Sequence, residues 1–80
     1  MEKTRFYTYK DFDEKLVKET LKDVYNILKD RGYNPVNQLV GYIMSGDPGF
    51  ITSHKEARQK ISRLERNKII EILLNDYMAK

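Results

Sequence analysis

His54 and Glu56 are the closest approach in this chain to an acid–base pair, an imidazole and a carboxylate two positions apart. Acid–base or nucleophilic catalysis needs more than that, and the sequence supplies no cysteine, no second histidine and no Gly-x-Ser-x-Gly elbow. The pair therefore reads as a solvated helix start, and the chain as a non-enzyme. Gly41, Gly46 and Gly49 do not make a phosphate-cradling loop, because Pro48 and Phe50 interrupt them and no Gly-Lys-Ser/Thr follows. With one histidine and no cysteine, histidine-cluster and thiolate metal sites are excluded as well. No metal and no cofactor is expected.

A second group of residues could bind rather than react. Lys55, Arg58, Ser62 and Arg66 fall within a sector of about 80° on a helical wheel, apart from Ala57, Ile61 and Leu64, and Lys60 and Arg63 add charge around them. The simplest reading is a solvated face; the functional ones are an acidic protein partner, a phosphorylated segment, or nucleic acid entered by a helix over 53–66. Against the last stands a net charge of only +3, with 12 acidic residues among 15 basic ones, a weaker footprint than a dedicated nucleic-acid binder carries. Arg58 and Arg66 lie off the apolar side, so they are expected to serve recognition rather than folding, and their replacement to cost about 0.5 kcal/mol each. Tyr33, Tyr42 and Phe50 flank the Pro-Gly turns and read as core or interface. Thr4 and Thr8 sit beside basic and aromatic residues in a segment without clear periodicity, where a kinase could reach them.

The elements that must position these residues are helical. Eighty residues, 40% hydrophobic and 34% charged, fit one small domain. A chain of this size buries only about 60% of its unfolded surface, and without cross-links self-association is the remaining support. No apolar run follows the charged N-terminus, so neither a signal peptide nor a membrane anchor is expected and the location is read as cytoplasmic. Residues 1–12 read as a flexible arm and 13–80 as the domain. Val17, Leu21, Val24 and Leu28 recur at helical spacing and predict a first helix over 13–31, ended by Gly32. Asn34-Pro35 opens a second over 35–45 with Val36, Leu39, Val40, Ile43 and Met44 on its apolar face. Gly41 in its middle implies close approach of another backbone. Asp47-Pro48-Gly49 is a turn, and Ser53 with Glu56 forms a capping box for the third helix. Ile70, Leu73, Leu74 and Tyr77 are out of phase with Ala57, Ile61 and Leu64, which predicts a break near 65–68 and a fourth helix, capped by Asn67, to about 79. The fold class is all-α, a four-helix domain.

The stretch GYNPVNQLVGYIMSGDPGFITSHKEAR, residues 32–58, resembles the signature segment of the IreB/ReoM family of small regulatory phosphoproteins of Gram-positive bacteria. LERNKIIEILLNDY, residues 64–77, is similar to that family's C-terminal helix. The resemblance rests on Gly32, Asn34-Pro35, Gln38, Gly41, Gly46, Asp47 and Pro48, and covers most of the chain. It implies an all-helical homodimer without catalytic activity, phosphorylated on an arm threonine by a membrane PASTA-domain Ser/Thr kinase and reversed by its phosphatase. It further implies restraint of peptidoglycan synthesis, by promoting ClpCP-dependent degradation of MurA, and a link to antibiotic resistance. Thr4, before Phe6-Tyr7 and Tyr9, matches the modified position, with Thr8 as the alternative. Lys55, Arg58, Arg63 and Arg66 would carry partner binding. The sequence departs from the family pattern at Thr52 and Ser53, where proline and arginine are common, and at Ser62, where arginine is expected.

Overall fold

The computed structural model describes the backbone of residues 2–79 and the side chains of 14–79. Four helices, α1 (Glu2–Asp30), α2 (Pro35–Ser45), α3 (Ala57–Ser62) and α4 (Arg66–Met78), are joined with two single 3₁₀ turns, Pro48–Phe50 and His54–Glu56, between α2 and α3. No strand occurs among the described residues.

Helix α1 starts at Glu2 rather than near residue 13, so the division drawn at 12/13 does not coincide with a helix boundary. Residues 2–12 contain neither glycine nor proline, and once a helix exists each further turn adds a hydrogen bond per residue fixed. Its end is as expected. Gly32 is left-handed at φ 87°, its N–H donates to the Lys29 carbonyl at 3.0 Å, and the Tyr33 N–H donates to the Leu28 carbonyl at 3.0 Å. This double bond pattern closes the last turn, and a non-glycine residue would be strained there.

Helix α2 matches its expected bounds. The Asn34 side chain accepts from the Asn37 N–H at 3.1 Å, Pro35 fills the first helical position, and Gly46 at φ 75° ends it. Gly41 is close to a ring and not to a backbone: a Cβ at this position would lie 2.5 Å from Phe50 ring carbons. The chain folds back after Pro48 and lays that aromatic on α2.

The capping box at the third helix does not form. Ser53 is helical in φ/ψ and its side chain caps nothing, while the His54 N–H is taken by Thr52 Oγ1 at 3.2 Å. Lys55 (φ 50°) and Glu56 (φ 61°) follow in the left-handed region, unfavourable for side chains with a Cβ, so α3 begins only at Ala57. The break before α4 falls at Arg63–Glu65, earlier than predicted, and Glu65 rather than Asn67 occupies the cap position. The Ser62 hydroxyl bonds back to the Gln59 carbonyl at 2.9 Å, a local competitor to helix continuation.

The core is built from Val17, Val24, Ile27 and Leu28 of α1, Tyr42 of α2, Ile51, Ala57 and Ile61 around α3, Leu64 in the break, and Ile69 and Ile72 of α4. Leu21, Leu39 and Ile43 pack on it from the side. The break changes which face of α4 is buried: Ile69 and Ile72 are inside, and the expected set Ile70, Leu73, Leu74 and Tyr77 is outside.

Candidate protein-binding site

Helix α2 ends with carbonyls that need donors. The Gly46 N–H serves Tyr42 at 2.7 Å, and the neighbouring Ile43 carbonyl receives Arg66 Nη1, at 3.0 Å, from the start of α4. The guanidinium lies so close over Gly46 that a Cβ there would stand 2.8 Å from its Cζ. Where the connection ends, Arg58 Nε donates to the Ile51 carbonyl at 3.0 Å. Between the two, Ser45 Oγ donates to the Gly41 carbonyl at 2.7 Å and accepts from the Asp47 N–H at 3.0 Å. Asp47 Oδ1 accepts from the Gly49 N–H at 2.8 Å, and Gln38 Nε2 donates to the Phe50 carbonyl at 2.8 Å. Gln38, Gly46, Asp47 and Pro48 thus hold the 45–51 connection in one shape. Arg58 and Arg66 are exposed, yet each anchors a main-chain carbonyl, so the expectation that neither serves folding is corrected.

The remaining basic residues are distributed differently from the helical wheel. Lys55 precedes α3, Arg63 follows it, and Arg66 belongs to α4, so no continuous helix spans 53–66. At six residues α3 is only about 9 Å long, and the premise of a groove-reading helix over 53–66 is overturned. Arg58 and Arg66 are related by the 45–51 connection that both clasp, and not by a shared helix face. Lys60 is paired with Asp23 of α1 at 2.7 Å. His54 and Glu56 sit at the left-handed turn, and among the described residues no group of three or more His, Cys, Asp or Glu is placed to hold a metal. The side chains of Thr4 and Thr8 lie outside the described residues.

Sequence reasoning missed a second surface. Leu21 and Tyr25 of α1, Val36, Leu39, Val40 and Ile43 of α2 and Leu73 of α4 line an open groove of about 370 Å³. It is continued by Met44, 78% exposed, and Ile70. The signal was present in α2, whose apolar stripe is wider than one packing contact requires: Leu39 and Ile43 turn towards the core while Val36, Val40 and Met44 stay outside. Near this face α4 is tied to α1, with Lys18 Nζ 3.2 Å from Asp76 and 3.5 Å from Glu14. The hydrogen bond to Asp76, chiefly, holds the Lys18 ammonium above the ordinary lysine range. No helix among the described residues is long and apolar enough to cross a membrane.

The arrangement presents two anchored guanidinium groups and an exposed apolar face. A family model described as the IreB regulatory phosphoprotein matches residues 2–79, from the threonine-bearing start of α1 through the clasped connection to the end of α4. The chain belongs to the IreB family of regulatory phosphoproteins.

Proposed function

We propose that this protein is a non-enzymatic cytoplasmic regulator of peptidoglycan synthesis, phosphorylated on Thr4 by a membrane PASTA-domain Ser/Thr kinase and reset by the cognate phosphatase. It acts by protein–protein binding, influencing ClpCP-dependent degradation of MurA. The observation that carries this reading is the family match over 2–79, which takes in Thr4 together with the whole helical domain. Thr8 is the alternative modified residue. The active form is a homodimer built on the face that Val36, Val40 and Met44 expose. That face supports the reading because an isolated 80-residue chain without cross-links has little core to spare.

The modification works on the partner and leaves the fold intact. A phosphate brings about −1.5 to −2 charges, and each exposed pair it makes is worth at most about 1 kcal/mol. Residue 4 falls in the first turn of α1, at the positive end of the helix dipole, where added negative charge favours the helix by about 0.3–1 kcal/mol. These magnitudes are too small to repack a core, while repulsion of an acidic partner needs no repacking.

The test is phosphorylation of the full chain by the isolated kinase domain, alongside Thr4→Ala and Thr8→Ala, followed by pull-down of MurA and the ClpC subunit with each form. Incorporation lost in Thr4→Ala, and capture that differs between the two phosphorylation states, is the expected result. Equal capture by both states overturns the switch, and unchanged labelling of Thr4→Ala overturns the assignment of the site. Amide NMR of the two forms is expected to differ only near residue 4; shifts spread through 35–77 would show a remodelled core.

A further inference from the structure

We infer that residues 53–56 are a two-state switch at the entry to α3. The strained turn is one state, and the other is a Ser53–Glu56 capping box that extends α3 back to His54. The burial of Ile51 and the seat of Phe50 on α2 latch the strained state. The switch needs no partner to exist and is independent of the functional reading above.

The strained state carries its own alternative. Lys55 (φ 50°, ψ 30°) and Glu56 (φ 61°, ψ 27°) are consecutive left-handed residues, and in each the right-handed conformation is favoured locally by roughly five- to thirtyfold. Neither is glycine or asparagine, so nothing in their own chemistry selects the left-handed form. The cap that a right-handed turn needs is already in the chain: Ser53, exposed and without a capping hydrogen bond, stands three residues before Glu56. With 54–56 right-handed, Ser53 Oγ accepts from the Glu56 N–H and the Glu56 carboxylate accepts from the Ser53 N–H. In the strained state the Glu56 N–H donates instead to the Ser53 carbonyl at 3.1 Å, and the His54 N–H donates to Thr52 Oγ1 at 3.2 Å.

What opposes the box is tertiary. Two residues cannot turn from left- to right-handed without redirecting the chain before them, so Ile51 and the α3 residues Ala57 and Ile61 cannot all keep their places. All three are fully buried in the strained state. Withdrawing Ile51 from the core costs roughly ten- to hundredfold in the equilibrium, the same order as the backbone strain, and two arrangements so balanced are what a switch requires. Three contacts hold the same end of the connection. Gln38 Nε2 donates to the Phe50 carbonyl at 2.8 Å, Arg58 Nε donates to the Ile51 carbonyl at 3.0 Å, and the Phe50 ring lies so close over Gly41 that no Cβ fits beneath it. The latch is therefore on α2 and the strain at α3, so lifting Phe50 off α2 lengthens α3 by one turn.

The experiment is NMR of the full chain without any partner. A positive φ brings a residue's own N–H and Hα together, so a strong cross-peak between them marks the strained state at Lys55 and Glu56, while helical Cα shifts at 54–56 mark the box. Relaxation dispersion gives the minor population on the μs–ms timescale. The parent is expected to show the strained pattern. Gln38→Ala removes one latch bond and should raise the boxed population roughly fivefold; Phe50→Leu, which removes the ring from Gly41 but stays apolar, is an independent release and should act in the same direction. In either background Ser53→Ala should restore the strained pattern, Ser53→Thr should not, and Glu56→Gly should lock the left-handed turn. Right-handed Lys55 and Glu56 in the parent, release variants that both leave 54–56 unchanged, or a shift that survives Ser53→Ala would each overturn the inference.

Discussion

Gly41 and Phe50 are a pair whose energetics can be separated. Alanine is the better helix former by about 1 kcal/mol, but a Cβ at 41 would stand 2.5 Å from the Phe50 ring, an overlap of the kind that costs about 1–3 kcal/mol when a core cannot give way. Gly41→Ala is expected to lower stability in the parent and raise it in a Phe50→Ala background, a reversal of sign that urea unfolding of the four proteins would reveal. Loss in both backgrounds would show that something other than the ring excludes the methyl. The same logic revises the arginines. A hydrogen bond from a charged donor contributes more than a neutral one, and with both side chains exposed a loss of about 1 kcal/mol is expected for Arg58→Ala or Arg66→Ala, twice what a free surface residue would show. Equilibrium unfolding that leaves either variant as stable as the parent would contradict the anchoring role.

Among the elements, the entry to α3 is strained. Lys55 and Glu56 are both left-handed, and such a residue costs about 1–2 kcal/mol relative to its usual conformation. Glu56→Gly is expected to raise stability by about 1 kcal/mol, and a lower unfolding midpoint for it would refute the strain. The tie between α1 and α4 behaves differently with pH. Because the Asp76 hydrogen bond and charge raise the Lys18 ammonium above 10.5 in the folded chain, its contribution is complete below the unfolded value and is lost as pH rises through the folded one. The parent should exceed Asp76→Asn in stability at neutral pH and converge on it in alkaline solution. An advantage that persists there would place the effect elsewhere than in the ion pair. Added salt should narrow the difference too, since both partners are exposed.

For the whole molecule the decisive feature is the uncovered apolar face. Val40 is about half exposed and Met44 more so, and a glutamate at position 40 meets water in a monomer but an apolar partner in a dimer. Val40→Glu is therefore expected to unfold within about 0.5 kcal/mol of the parent when both are monomeric, and to sediment as a monomer at concentrations where the parent is dimeric. A parent protein that is monomeric at tens of micromolar, or a variant that remains dimeric, would remove this face from the assembly.

Helix existence, the α2 caps and the left-handed glycines after α1 and α2 were readable in the sequence, because each depends on residues within one or two turns: Gly32 closing α1, Asn34 and Pro35 opening α2, Gly46 ending it. The signature residues could be recognised as a set, but their purpose could not. Gln38 meets Phe50, Gly41 the same ring, and Arg66 the carbonyl of Ile43, contacts between positions 9 to 23 apart that no local pattern encodes. Where local cues misled, tertiary demand had overridden them. Ser53 and Glu56 have the spacing of a capping box, yet burying Ile51 and Ala57 together turns the chain through two left-handed residues and leaves the box unmade. Ile70, Leu73 and Leu74 are as apolar as Ile69 and Ile72. Which set enters the core was decided by where the chain breaks at Arg63–Glu65, since shifting a helix start rotates all its side chains by about 100° per residue.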